Sequence, residues 1–301
     1  MRRTRVLPLA ALLLCTPALV STVPASAAPK AEPAEPLRIL LTNDDGYDAV
    51  GIRTLFQRLT AAGYDVTVVA PLTNQSGTGT KMMSSTTLTV KHPGPRVWAV
   101  DGTPGDAVSF GLSEVFADRA PDLVVSGTNF GPNVAALATH SGTVGGAVAA
   151  LEQGVPAIAV STGGLGAPVP EPVVNAMRPT GDFTVKLVER LKSGAKNGRL
   201  LPEGVGLNVN HPVVGPDGKG TALGASLTTQ DPQPVLKADY TDSGDGTWKV
   251  NVGIVPAPAQ KGGDVEAIDA DRVSITPISP NWNAGTADFA GTAHLLAGLR
   301  P

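Results

Sequence analysis

The stretch Leu37-Arg38-Ile39-Leu40-Leu41-Thr42-Asn43-Asp44-Asp45-Gly46 decides the fold. Leu37 to Thr42 is an apolar run with few polar breaks, the pattern of a strand buried on both faces, and an acidic turn follows it at once. Downstream, Gly51 to Ala62 carries Ile52, Leu55, Phe56 and Leu59 at helical spacing and is stopped by Gly63. Asp65 to Ala70 then returns as a valine-rich strand ending at Pro71. This is one strand-helix-strand unit.

The rhythm repeats. Thr103 caps a helix with Pro104 in its first position, running to Phe116, and Asp122 to Ser126 is a short apolar strand. A third helix begins near Ser141 and stops at Gly154, before the strand Ala157 to Ser161. Strands and helices alternating in this way predict an α/β fold with a doubly wound, mainly parallel sheet, whose ligands sit beyond the carboxyl ends of the strands. After Gly163 the pattern weakens to a surface helix over Thr180 to Leu191, a strand over Val205 to Asn210, a hairpin over Ala238 to Gly253 and a last helix near Thr286 to Leu299. Residues from about 211 to 301 read as a smaller β-rich extension of the same 37–301 domain.

Upstream, Arg2, Arg3 and Arg5 lead a mostly apolar run from Val6 to Val20, and Ala25-Ser26-Ala27 is a small-residue cleavage pattern. Residues 1–27 therefore read as a signal peptide, with a Pro/Ala/Glu linker over 28–36, and the expectation is a secreted chain with no membrane attachment once the leader is cut. Leu14 is too large to precede a lipid-modified Cys15, and the Arg2-Arg3 pair leaves a twin-arginine export route open beside the general one. The only cysteine leaves with the leader, which excludes disulfides, cysteine nucleophiles and cysteine-held zinc. Removing three arginines and no acid takes the formal charge from −3 to −6, the wrong sign for a nucleic-acid binder. With 42% apolar and 16% charged residues, the chain has ample material for a core despite 35 glycines and 27 prolines.

The chemistry gathers at strand ends. Asp44 and Asp45 are hard oxygen ligands suited to Mg²⁺, Mn²⁺ or Ca²⁺, although an Asp that merely caps the next helix would read the same. The second strand is followed by Asn74-Gln75-Ser76-Gly77 and the third by Ser126-Gly127-Thr128-Asn129-Phe130-Gly131-Pro132-Asn133. Each is an ordinary polar loop alone, but together they can surround one cation with Asp, Ser and Asn oxygens. Ser141-Gly142-Thr143 opens the third helix, where free N–H groups and the helix dipole favour an anion; a simple N-cap by Ser141 is the alternative. A response-regulator receiver also has an acidic pair after its first strand, yet the third strand here ends in Ser126-Gly127 where a receiver needs its phospho-acceptor aspartate.

These motifs make the chain similar to the SurE (survival protein E) family of metal-dependent 5′/3′-nucleotidases. The matching segments are Arg38 to Gly51, Val69 to Gly77, Asp101 to Asp106 (Asp-Gly-Thr-Pro-Gly-Asp), Pro121 to Asn133 and Ser141 to Val160, with weaker echoes at Gly206 to Pro212 and Val273 to Pro277. The resemblance implies a Rossmann-like fold and metal ligation by Asp44, Asp45, Ser76 and Asn129. It places Asn43, Asn133, Ser141, Gly142 and Thr143 on the phosphate side, so that Asp44, Asp45, Asn43, Ser141, Gly142 and Thr143 form the catalytic set. It further implies Mg²⁺ or Mn²⁺ as cofactor, nucleoside monophosphates or other small phosphomonoesters as substrates, and a homodimer or homotetramer built through the hairpin arm. The chain departs from the family pattern at Val50, where proline is common, at Ala107, where cysteine often stands, at His140, a frequently aromatic position, and in its export leader.

With both aspartates taken as ligands, in-line attack by a metal-activated water is favoured over an aspartyl-phosphate. His140 is the one histidine beside the motifs and reads as a surface or capping residue, with leaving-group protonation as the alternative. His92, His211 and His294 read as structural, and Phe130 as buried. Two competing functions stay open on sequence alone: a broad acid phosphatase or exopolyphosphatase with the same metal centre, and a secreted ligand-binding protein without catalysis.

Overall fold

A computed structural model describes residues 35–82, 85–164, 170–233, 236–255, 258–283 and 285–298. The leader and most of the linker lie outside the described residues. Among the described residues there are eleven strands: β1 (Arg38–Thr42), β2 (Asp65–Pro71), β3 (Val90–Gly94), β4 (Val97–Val100), β5 (Leu123–Phe130), β6 (Ala157–Thr162), β7 (Gly206–His211), β8 (Ala225–Leu227), β9 (Leu236–Asp242), β10 (Trp248–Ile254) and β11 (Val273–Ile278). The helices are α1 (Val50–Ala61), α2 (Pro104–Phe110), α3 (Leu137–His140), α4 (Gly142–Glu152), α5 (Pro170–Gly194), α6 (Asp264–Asp269) and α7 (Thr286–Leu295). Among the described residues no helix is long and apolar enough to cross a membrane.

Nine strands form one sheet in the order β3-β4-β2-β1-β5-β6-β7-β11-β8. From β4 to β7 every neighbouring pair is parallel, and only the β3–β4 and β11–β7 pairs are antiparallel. The alternation of a strand explains the two layers. Ile39 and Leu41 of β1 face α1 and α5, whereas Leu40 faces α2 and α4; all three are fully buried. Truncating any of them to Ala would cost about 2–5 kcal/mol.

The helix start at Thr103 has the predicted chemistry. Its hydroxyl accepts from the Asp106 amide while the Asp106 carboxylate accepts from the Thr103 amide, a reciprocal capping box with Pro104 in the first turn. A single π-turn over 111–115 then continues α2.

Three element boundaries change. The third strand runs on to Phe130, because after a register shift between Ser126 and Asn129 it pairs again with Ser161 and Thr162 of β6. The surface helix extends from Pro170 to Gly194, with Pro179 accommodated inside it. The β-rich segment after 211 is continuous with the main sheet: β11 lies between β7 and β8, antiparallel to the first and parallel to the second. The last helix ends at Leu295, and Leu299 lies outside the described residues. Only β9 and β10 stand apart, as an antiparallel hairpin of their own.

Candidate active site

β1 pairs with β2 on one side and β5 on the other, so the chain changes direction across the sheet between β1 and β5. The carboxyl ends of these two strands form the crevice where an open α/β sheet takes its ligand. Asn43, Asp44 and Asp45 leave the end of β1, and Thr42 is in register with Ser126 of β5.

Asp44 is almost wholly buried. Its Oδ1 accepts the Thr143 hydroxyl at 2.5 Å, and the backbone amides of Gly142 and Thr143 also lie against it, so the carboxylate occupies the positive end of α4. A Cβ on Gly142 would stand 2.8 Å from Asp44 Cβ and 2.9 Å from Thr78 Oγ1, which is why only glycine lets the carboxylate come this close. Burial pushes the Asp44 carboxyl up from its ordinary range, opposed by these hydrogen bonds. Asp45 is half-buried; burial first, and the neighbouring Asp44 charge second, push it up to about 6.

Two backbone contacts tie the segments that carry the other expected ligands to the acidic turn. The Gln75 amide donates to the Asp44 carbonyl at 2.7 Å, tying the loop that carries exposed Ser76 to the acidic turn. The Phe130 amide donates to Asp45 Oδ2 at 3.1 Å, which fixes the residue next to Asn129 against the second carboxylate. Asn129 donates from its Nδ2 to the Gly131 carbonyl at 2.9 Å, an arrangement that leaves its Oδ1 as the acceptor end. Asn43 is fully buried: its Nδ2 donates to the Gly46 carbonyl at 2.9 Å and closes the turn, while its Oδ1 has no hydrogen-bond partner.

Among the described residues no three His, Cys, Asp or Glu gather at one point, so a cation here would draw on Ser and Asn oxygens together with the two aspartates. The donor set is all hard oxygen, the buried carboxylates repel each other, and Asn43 Oδ1 is orphaned. Those three features fit a divalent ion of the Mg²⁺ or Mn²⁺ kind.

The residues expected on the phosphate side have well-defined contacts of their own. Ser141 caps α4, its hydroxyl accepting from the Val144 amide at 3.2 Å. Asn133 donates from Nδ2 to Ser161 at 2.8 Å, its amide donates to Asn210 Oδ1 at 2.6 Å, and its carbonyl accepts from Asn208 and Asn210. Asp264, from α6, accepts the Ala135 amide at 3.0 Å and so secures the far end of the same loop. Asn208, Asn210 and Asp264 carried no signal beyond the Gly206 to Pro212 echo, since their partners are 75 to 129 residues away. His140 is exposed at the end of α3, its carbonyl accepting from the Gly79 amide at 3.1 Å. Phe130 is not buried: it is 41% exposed.

The architecture agrees with that of known proteins. Residues 39–249 match the family model described as survival protein SurE. A 5′-nucleotidase SurE of Rhodopseudomonas palustris (strain BisB5) is 35% identical over 249 residues, covering 80% of this chain and 93% of the relative. A 5′-nucleotidase SurE of Microcystis aeruginosa is 33% identical over 278 residues, covering 86% of this chain and 96% of the relative. The crystal structure of the SurE protein from Aquifex aeolicus superposes with a TM-score of 0.70 at 29% identity, covering 86% of this chain and 99% of that one. The family match, the relatives and the shared fold agree, and the chain belongs to the SurE family.

Proposed function

We propose that this protein is an exported, divalent-metal-dependent phosphomonoesterase that hydrolyses nucleoside 5′- and 3′-monophosphates. The observation that carries the reading is the convergence of Asp44, Asp45 and the loops bearing Ser76 and Asn129 at the β1/β5 switch point, in a chain whose relatives are named 5′-nucleotidases. Asp44, Asp45, Ser76 and Asn129 would hold the ion. When bound, a divalent ion supplies Lewis acidity that makes a water nucleophilic near neutral pH.

The chain's own residues do the positioning. Thr143 and the first amides of α4 fix Asp44 in one orientation, and the Phe130 amide does the same for Asp45. Asn43 closes the turn that presents both carboxylates. Asn133, Ser141, Gly142 and Thr143 would take the phosphoryl group, and the positive end of α4, already turned toward Asp44, favours it as negative charge develops. With both carboxylates committed to the cation, direct in-line attack by water is the economical route.

The export leader supports a place outside the cytoplasm. The β9–β10 hairpin exposes Tyr240, Trp248, Val250 and Val252, which supports association into a homodimer or homotetramer. Initial rates on AMP, 3′-AMP, p-nitrophenyl phosphate and tripolyphosphate, with and without Mn²⁺, test the whole reading. Preference for the two nucleotides is expected; equal or faster turnover of tripolyphosphate would reassign the protein as a polyphosphatase, and no phosphate release from any of them would leave a binding protein.

A further inference from the structure

β5 is buried along its whole length until its last residue, Phe130, which emerges with 41% of its surface exposed. Isolated exposed apolar residues are ordinary on a protein surface, so the location is what matters. Phe130's own amide contacts Asp45 Oδ2 at 3.1 Å, and one peptide unit, about 3.8 Å between Cα atoms, separates it from Asn129. Gly51 seats α1 so tightly on β5 that a Cβ there would lie 1.9 Å from the Thr128 carbonyl oxygen, and Val50, 37% exposed, precedes that contact. The Phe130 ring thus stands uncovered on the residue that contacts Asp45, and Val50 is exposed next to the residue that packs on Thr128. The other exposed aromatics, Tyr240, Trp248, Trp282 and Phe289, belong to the hairpin and the C-terminal segment.

A phosphate ester held at Asp44 and Asp45 must direct its organic part away from the buried carboxylates, toward the exposed rim. For a nucleotide, that part ends in a flat π-face. We propose that Phe130 is a specificity-determining residue: its ring stacks on the nucleobase of a nucleoside monophosphate whose phosphate lies at the Asp44–Asp45 centre. The proposal rests on the nucleotidase reading and extends it by naming the group that tells a nucleotide from any other small phosphomonoester. Stacking is tolerant of base identity because every base has a π-face, so Phe130 selects for a base without selecting which one.

The test compares kcat/KM for AMP and for ribose 5-phosphate, the same sugar phosphate without its base, in the wild type, Phe130→Ala and Phe130→Trp. Phe130→Ala removes the ring and keeps the backbone amide that holds Asp45; it is expected to lower kcat/KM for AMP roughly tenfold, the scale of one base–aromatic stack, through KM, and to leave ribose 5-phosphate within about twofold. Phe130→Trp is expected to hold AMP at or above the wild-type value. Equal losses on both substrates, or no loss on AMP, would overturn the assignment while leaving the nucleotidase reading intact. So would a shift in sedimentation of Phe130→Ala with AMP kinetics unchanged, since the ring would then be covered by a second copy. A wild type that hydrolyses ribose 5-phosphate but not AMP would overturn the nucleotidase reading itself, and this proposal with it.

Discussion

The hydroxyl of Thr143, in the first turn of α4, donates to Asp44 Oδ1 at the end of β1 across 2.5 Å, joining residues 99 positions apart. A hydrogen bond this short is what a carboxylate acceptor gives. Thr143→Val keeps the shape and removes the donor. It is expected to cost about 1.5–3 kcal/mol of stability, the range for hydrogen bonds to charged groups, and to lower phosphate release at least tenfold, with Thr143→Ser restoring both. Thermal melting and AMP hydrolysis read the two effects.

Gly142 lies against the same carboxylate from the helix side. Gly142→Ala places a methyl group where Asp44 Cβ and Thr78 Oγ1 already stand, at 2.8 and 2.9 Å. The aspartate must shift, and a displacement on the ångström scale costs roughly 10²-fold in rate. Wild-type turnover by this variant would show that the position of Asp44 does not matter.

The cation site makes a sharper demand. Asp45→Asn or Asn129→Ala is expected to abolish metal-dependent phosphate release with the circular dichroism spectrum unchanged, and EDTA to silence the wild type until Mg²⁺ or Mn²⁺ is added back. Full turnover by both variants at saturating Mn²⁺ would remove these residues from the site.

Asp264 is fully buried and accepts two backbone amides, Ala135 and Asp231, at 3.0 Å each. Asp264→Ala strands both donors, and at about 1–3 kcal/mol for each unsatisfied buried group the loss should total about 2–6 kcal/mol. Asp264→Asn, which keeps one acceptor oxygen, is expected to lose less. Urea midpoints at constant slope distinguish these outcomes from a change in the unfolded state.

His211 gives the pH dependence. Burial pulls its imidazole below the ordinary 6.5, only partly opposed by the bond between Nδ1 and the Pro212 carbonyl. The unfolded chain therefore takes up a proton that the folded one refuses. The stability this contributes is fully present above about pH 6.5 and is lost as pH falls through 6.5 toward the depressed folded value. Asp45, raised to about 6, has the opposite slope: its contribution is present at low pH and lost as pH rises through 6. Melting temperatures from pH 5 to 7.5 for the wild type and His211→Asn separate the two, because the variant should lose less stability on acidification. Identical slopes would mean that His211 does not titrate in this window.

Local chemistry in the sequence determined much of this protein. The apolar run of β1, the helical spacing of α1 and the Thr103–Asp106 cap announce parallel strand-helix units, because a strand buried on both faces and a capped amphipathic helix leave periodic and compositional marks within a dozen residues. The acidic turn and the polar loops after β2 and β5 were legible for the same reason, since the strand ends that present a ligand site are also where apolar runs stop.

Tertiary structure decided the rest. That β11 slots between β7 and β8, antiparallel to the one and parallel to the other, depends on pairing across 64 residues, from Asn210 to Ser274, which no local period encodes. Ser126 to Phe130 reads as a loop because glycine and small polar residues break the apolar pattern, yet β6 supplies the partner that keeps it a strand. That pairing carries Phe130 out to the rim, although an aromatic beside a core strand reads as buried. Asp44 meets the start of α4, and Asp264 reaches the Ala135 amide, only once the sheet has brought distant segments together. Sequence specifies which groups are available; the order of strands decides which of them touch, because a hydrogen bond depends on position in space and not on distance along the chain.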